Sequence, residues 1–180
     1  MRLLLILTSV VLISACSYNA GISEQKINSY LAEQSGFEQN VGLPGLFNLA
    51  IEVDDASVKL GQNDDQRIRL NAAGQMELQS PIQNLDLAVK LHFSAKPRYQ
   101  ADEAAIYLDN PLLEELEVKP AQYQSLINQF LPAISIALGQ VLAQYPVYEL
   151  DSEDKAQALA KDLGKAIHVK PGRIEFELAP

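Results

Sequence analysis

Residues 120–148 constrain this chain most, because they combine apolar residues at helical spacing with a complete lack of charge. Tyr123, Leu126, Ile127, Phe130, Leu131, Ile134, Leu138, Val141, Leu142 and Tyr145 follow the i, i+3, i+4, i+7 rhythm of one helix with a wide apolar face. The other face carries Gln122, Gln124, Ser125, Asn128, Gln129, Ser135, Gln140 and Gln144, where a surface helix would ordinarily display Lys and Glu. Two readings stay open. The helix is covered on most sides as the core of the domain, or it lines an apolar groove that holds a ligand. Amides recur along it and Pro132 interrupts it, so it does not read as a membrane span. Pro132 also removes one backbone hydrogen bond and predicts a bend near Asn128. Pro146 marks its end.

Before the helix the apolar period is two. Phe47, Leu49, Ile51 and Val53 are odd-numbered, whereas Val58 and Leu60 are even-numbered. A strand that keeps one face inward must gain a residue between them, which predicts a β-bulge within residues 54–57. Residues 62–65 read as a hairpin turn. A second strand turns Ile68, Leu70, Ala72, Gly74, Met76 and Leu78 inward, and its small middle residues allow close approach or curvature. The third runs from Leu85 to Ala95, with Asp86, Lys90, His92 and Ser94 on its wet face. A turn at Lys96-Pro97-Arg98 leads to a weaker fourth strand, Ile106 and Leu108, then Leu116 and Val118. Pro111 there predicts an edge position or a break, and Leu112-Leu113 a second apolar loop.

The flanks are helical. Residues 22–34 read as a helix with Ser23 as N-cap, Ile22 and Ile27 as a hydrophobic staple, and Gly36 at its end. Residues 41–47 then form an apolar turn. After the long helix, Asp151 or Ser152 is expected to cap a third helix. Its buried face would be Ala156, Leu159, Ala160, Leu163 and Ile167, with Lys161, Lys165 and His168 late in it, as the helix dipole favours. Pro171-Gly172 turns the chain into a last strand with Ile174, Phe176 and Leu178 inward. The pattern predicts one α+β domain over residues 22–180. It is a curved antiparallel sheet of about five strands wrapped around one long helix, with two shorter helices.

The N-terminus sets the expected address. Arg2 precedes an apolar run, residues 3–13, too short to span a bilayer. The run ends in Leu12-Ile13-Ser14-Ala15-Cys16, which resembles a bacterial lipobox. The resemblance implies that residues 1–15 are a lipoprotein signal peptide, removed before an acylated Cys16. Residues 16–21 are then the anchor and a short tether, about five residues that reach roughly 17 Å. Ser17 after the cysteine implies, by the usual Gram-negative sorting pattern, the periplasmic face of the outer membrane.

Several chemistries find no support. A formal net charge of -9 argues against nucleic acid and against broad electrostatic docking on anionic lipid. With one cysteine there is no internal disulfide. His92 and His168 are isolated, Gly-x-Ser-x-Gly is absent, and Asp54-Asp55 point to opposite sides of a strand. Asn63-Asp64-Asp65 lacks the spaced ligands and closing Glu of a calcium loop. No catalytic residue, metal site or cofactor is therefore assigned, and a non-enzymatic protein is expected.

The lipobox, the Gly-Leu-Pro-Gly-Leu-Phe of residues 42–47, the uncharged helix, Tyr145-Pro146-Val147-Tyr148 and Val169-Lys170-Pro171-Gly172 together resemble the YceB-type lipoproteins of Gram-negative bacteria, a family defined by a domain of unknown function. The resemblance implies a fold near the tubular lipid-binding architectures, in which a curved sheet wraps a long helix and the gap can hold lipid. The expected role is a lipid- or hydrophobe-binding protein tethered to the outer membrane. Phe47, Met76 and Phe93 would line its site from the strands, and Leu126, Ile127, Phe130, Ile134 and Leu138 from the helix. The alternative is an envelope adaptor with a solid core that binds another protein.

Overall fold

A computed structural model describes residues 20–34, 36–43, 47–81 and 83–179. Cys16, the rest of the N-terminal segment and residues 44–46 of the apolar turn lie outside the described residues.

The chain forms an α+β domain. In order, its elements are β1 (Gly21–Ser23), α1 (Glu24–Glu33), β2 (Phe37–Leu43), β3 (Phe47–Leu60), β4 (Ile68–Gln79), β5 (Asn84–Gln100), β6 (Ala105–Lys119), α2 (Gln124–Gln144), β7 (Tyr148–Glu149), α3 (Lys155–Leu163), β8 (Gly164–Lys170) and β9 (Arg173–Leu178). β2 to β7 make one antiparallel sheet in sequential order. β1, β9 and β8 make a second, three-stranded sheet. α2 runs close along β6, whose edge is free beyond the two residues paired with β7, and also touches β2 at the opposite margin of the main sheet. The sheet therefore curls around the helix.

The inward rows follow from the alternation. Leu49, Leu78 and Leu85 share one row, and Ile51, Met76 and Leu87 the next. The period shift falls where the sequence requires it, with the register slipping between Val53 and Asp55. Gly74 belongs to this bulge. A Cβ there would sit 1.9 Å from the Glu52 carbonyl oxygen, so the glycine serves the approach of β3 and not of the helix.

Several boundaries differ from the sequence expectation, each for a local reason. Lys96-Pro97-Arg98 is not a turn: β5 continues to Gln100, and the reversal is made by residues 101–104, where Ala104 has φ +51°. β6 is one strand through Pro111, and Leu112-Leu113 lie within it and not in a loop. The proline is tolerated because β7 pairs only with Ala105 and Ile106, which leaves an open edge at Pro111. Part of the apolar turn is strand as well, with Leu43 opposite Phe47. Ser23 does cap α1, its hydroxyl accepting from Lys26 N–H at 3.2 Å, and Ile22 and Ile27 are both buried beside it. Gly36 has φ +84° and donates to the Val53 carbonyl at 2.9 Å, which turns the chain into β2. α3 is capped by Asp154 and stops at Leu163, so Lys165, Ile167 and His168 are on β8 and not on a helix. The tight Pro171-Gly172 turn, with Gly172 at φ +73°, pairs Lys170 with Arg173 and makes the segment before it a hairpin arm.

Strand edges left open by the pairing are closed by amide side chains. β2 reaches only as far as Val53, and α1 covers the rest of β3. There Asn28 imitates a neighbouring strand: Val58 N–H donates to its Oδ1 at 2.7 Å, and its Nδ2 donates to the Val58 carbonyl at 3.2 Å. Gln66 makes the same pair of bonds to Val169 of β8, at 2.9 and 3.1 Å. Replacing Asn28 with Ala leaves both Val58 groups unpaired in a partly buried place, and should lower stability by about 1–3 kcal/mol. The urea midpoint would shift down with the slope unchanged.

Lys26 of α1 and the α3 cap form an ion pair, with Lys26 Nζ 2.6 Å from Asp154 Oδ2. The Lys26 hydrogen bond, aided by the Ala156 and Gln157 N–H groups, holds the Asp154 carboxyl down at about 2, against an ordinary 3.8. A carboxylate with a lowered folded-state pKa stabilises the fold above its ordinary value, and that contribution disappears as pH falls toward the folded value. Melting temperatures recorded from about pH 4 down to about pH 2 should therefore fall more steeply for the native chain than for Asp154→Asn.

Candidate functional site

The site proposed from sequence is the seam between α2 and the inward face of the main sheet. α2 enters from β6 through Pro120 and a turn of 3-10 helix, Ala121–Tyr123. No side chain caps its start. Gln124, expected on the outer polar face, instead turns back to the open edge of β6. Its Oε1 accepts from Val118 N–H at 3.0 Å, and its Nε2 donates to the Leu116 carbonyl at 2.7 Å. This fixes the first turn of α2 against the sheet margin. Farther along, Gly139 faces the Pro111 ring. The helix continues unbroken through Pro132.

α2 is not a covered core helix. Only Ile127, Ile134 and Ala137 are buried among its residues, one stripe at i, i+7 and i+10. Ile127 and Ile134 meet Leu49, Met76, Leu78, Leu87, Leu116 and Val118 in a continuous apolar cluster. Leu126, Phe130, Leu131 and Ala133 flank that stripe half-buried, and Ile51, Leu91 and Leu113 do the same on the sheet. The outward face is open: Ser125, Asn128, Gln129, Pro132, Gln140 and Ala143 are exposed, and Ile136 retains 60% of its surface.

The expected site residues divide accordingly. Met76, Ile127 and Ile134 pack together, with Leu126 and Phe130 at the rim. Phe93 is buried in a second cluster, built around α1, the small sheet and the residues after α2, and Leu138 packs half-buried against it. Phe47 starts β3, but its side chain lies outside what is described. Sequence reasoning missed Ile51, Leu91 and Leu113 as rim residues. The inward parity of Ile51 and Leu91 was visible, whereas Leu113 was expected in a loop, and nothing local shows that the helix leaves all three half open.

The electrostatics of the two sheet faces contrast. Gln124–Gln144 contains no titratable side chain. The opposite face holds an open depression of about 500 Å³ whose walls include Glu38, Asn40, Glu52, Gln75, Glu77 and Asp86. Ala50, Ile51, Met76 and Leu87 complete its lining, and its carboxylates are exposed to water. Among the described residues no cluster of His, Cys, Asp and Glu could hold a metal. His92 Nδ1 lies 2.6 Å from Asn71 Oδ1, and His168 is exposed beside Glu177. Neither arrangement pairs a nucleophile with a base.

The seam predicts a sharp contrast along one helix. Ile127→Ala should cost about 2–5 kcal/mol through the cavity it leaves. Ile136→Ser, on the open face, should stay within about 0.5 kcal/mol of the native chain in the same denaturation experiment.

Comparison with known proteins gives the following relatives. Residues 22–173 match the family model described as "Protein of unknown function (DUF1439)". The protein named "Uncharacterized lipoprotein YceB" from Salmonella typhimurium is 31% identical over 154 residues, covering 85% of this chain and 83% of its own. Its counterpart of the same name in Escherichia coli is 29% identical over the same coverage. A solved structure titled "Crystal structure of lipopolysaccharide binding protein" aligns with 88% of this chain and 48% of its own, about half its length, at 12% identity and a TM-score of 0.29. So loose a superposition carries no argument.

Proposed function

This chain belongs to the DUF1439 family of YceB-type lipoproteins, and from that premise we propose that it is a lipoprotein, anchored through Cys16 on the periplasmic face of the outer membrane, whose helix–sheet seam holds a lipid or another hydrophobic molecule. The observation that carries the ligand reading is the half-open apolar rim. Leu126, Phe130 and Leu131 on α2 face the same cluster as Ile51, Leu91 and Leu113 on the sheet, and none of the six is fully buried. A finished core would close over such side chains, because each remaining patch of apolar surface forgoes about 25 cal/mol per Å². An acyl chain laid along the rim would recover that term with no polar partner required, which suits a seam without a charged group. The anchor reading rests on the lipobox residues and on relatives that are named lipoproteins. Several buried acyl chains, each methylene contributing roughly 0.8 kcal/mol, make a durable attachment.

One preparation tests both parts. Cys16→Ala should move the protein from the membrane pellet to the soluble fraction. Continued sedimentation with membranes would refute the anchor. Native mass spectrometry of that soluble chain should show a stoichiometric apolar adduct, removable by organic extraction and restored by a fluorescent fatty acid. A chain of bare mass that takes up no fatty acid would refute the ligand.

A further inference from the structure

The outward face of α2 stays unexplained by a ligand held on its inward side. The helix is about 31 Å long, uncharged throughout, and open to solvent along Ser125, Gln129, Pro132, Ile136, Gln140 and Ala143. We propose that this face lies on the surface of the bilayer into which the chain's own anchor inserts, so that α2 separates the interior of the curled sheet from the membrane. This rests on the Cys16 anchor.

Three observations single out the bilayer as occupant. The first is reach. Ala20 is buried, its carbonyl accepting from Phe176 N–H at 2.8 Å, and it is four positions after Cys16, with three residues between. Four extended Cα-to-Cα steps span at most about 14 Å, so this part of the fold cannot leave the headgroup region. Ala20 shares its apolar cluster with Val147, Tyr148 and Leu150, which directly follow α2, and Leu138 and Leu142 of α2 pack on that same cluster. The last turns of α2 thus rest on the core from which the tether departs.

The second observation is charge. The chain as a whole is acidic, at -9, and Glu38, Glu52, Glu77 and Asp86 gather on the sheet face turned away from α2. An anionic membrane surface repels that face over about a Debye length, some 8 Å at physiological salt. α2 presents no charge to be repelled. Of the two faces of the main sheet, only the α2 side can approach closely.

The third is composition. Ile136 is 60% exposed and projects from a surface otherwise made of amides, hydroxyls, Pro132 and Ala143. Uncharged amides exchange water for headgroup oxygens at little cost, whereas an exposed Ile gains from the interface. The face is too polar to span the bilayer and sits naturally at its boundary.

The test uses the full acylated chain reconstituted in vesicles of phosphatidylethanolamine and phosphatidylglycerol. Cys16 is blocked by its acyl group, so a cysteine introduced by Ile136→Cys offers the only free thiol. An environment-sensitive fluorophore placed there should settle roughly 5–10 Å into the headgroup boundary. It should shift its emission to the blue, be quenched by nitroxide-bearing lipids and be shielded from aqueous iodide. Ala143→Cys, also exposed, should behave alike. Asp86→Cys on the opposite face should be open to iodide and untouched by lipid quenchers. Equal iodide quenching at positions 136 and 86 in vesicle-bound protein overturns the proposal and leaves the anchor intact. Shielding from iodide without lipid quenching also overturns it, since a second copy or another protein then covers the helix. Protein that fails to float with the vesicles removes the anchor, and the proposal falls with it.

Discussion

The strands of the main sheet end in different places, so rows of backbone N–H and C=O groups are left without a partner strand. Such groups must be satisfied or solvated, and an open edge invites other chains. This fold answers with carboxamides, which carry a donor and an acceptor at nearly the spacing of a peptide group. Asn28 covers Val58 on β3, Gln66 covers Val169 on β8, and Gln124 covers Leu116 and Val118 on β6. In each case the amide also attaches one unit to another. Asn28 fixes α1 to the main sheet, Gln66 fixes the small sheet to the β3–β4 turn, and Gln124 fixes the start of α2. Glu24 supports the first of these junctions by accepting from Leu60 N–H at 2.9 Å while pairing with Lys59. The arrangement of helices around the sheet thus depends on where the ladders run out.

That arrangement explains why the apolar interior is divided. The cluster under α1 and the small sheet holds Val58, Leu70, Phe93 and Ile106, and the cluster under α2 holds Leu49, Met76, Leu87 and Val118. Between them the inward rows are mostly small or half-buried: Ala56, Ala72 and Leu91 share one row, and Val53 and Gly74 share the next with the buried Val89 of the α2 cluster. The bulge beside Gly74 lies in this waist, where added side-chain volume has no room. A sheet with a narrow middle curves readily, and here its margins β2 and β6 both come up to α2. The half-open rim is a consequence. A single helix set into the mouth of a curled sheet buries one stripe and leaves its shoulders short of contact.

Much of this was legible in the residues. Alternation revealed the strands and their inward faces, and the parity change between Val53 and Val58 located the bulge. Ser23 announced a cap, and the spacing of Ile127 and Ile134 announced the buried stripe. What escaped depended on partners distant in the chain. Asn28 and Gln66 look like ordinary surface amides because their partners are 30 and 103 residues away. Residues 164–168 carry helical spacing as easily as strand spacing, and only pairing with β9 decides for β8. Lys96-Pro97-Arg98 has turn composition, yet it is held extended by Tyr107, Leu108 and Asp109 opposite, with the Arg98 guanidinium over the Tyr107 ring and 3.0 Å from the Asp109 carboxylate. Local propensity yields where cross-strand contacts are this specific.

The absence of charge on residues 120–148 was also legible, but its meaning was not. The simplest expectation, burial on most sides, is contradicted by an outward face that is open over the whole length of α2. Stability in water does not require amides there, since Lys and Glu at i, i+4 would contribute a few tenths of a kcal/mol per pair. Their exclusion therefore points to an environment in which a fixed charge is a liability. A bulk aqueous compartment is not one. An apolar ligand beside the helix is one, and an anionic headgroup boundary is one for carboxylates. Both fit a helix whose inward stripe anchors it to the sheet, while its shoulders and outer face remain available. With no group to titrate between Gln124 and Gln144, contact at either surface should be insensitive to pH and only weakly sensitive to salt, unlike the acid-lined depression on the far side of the sheet.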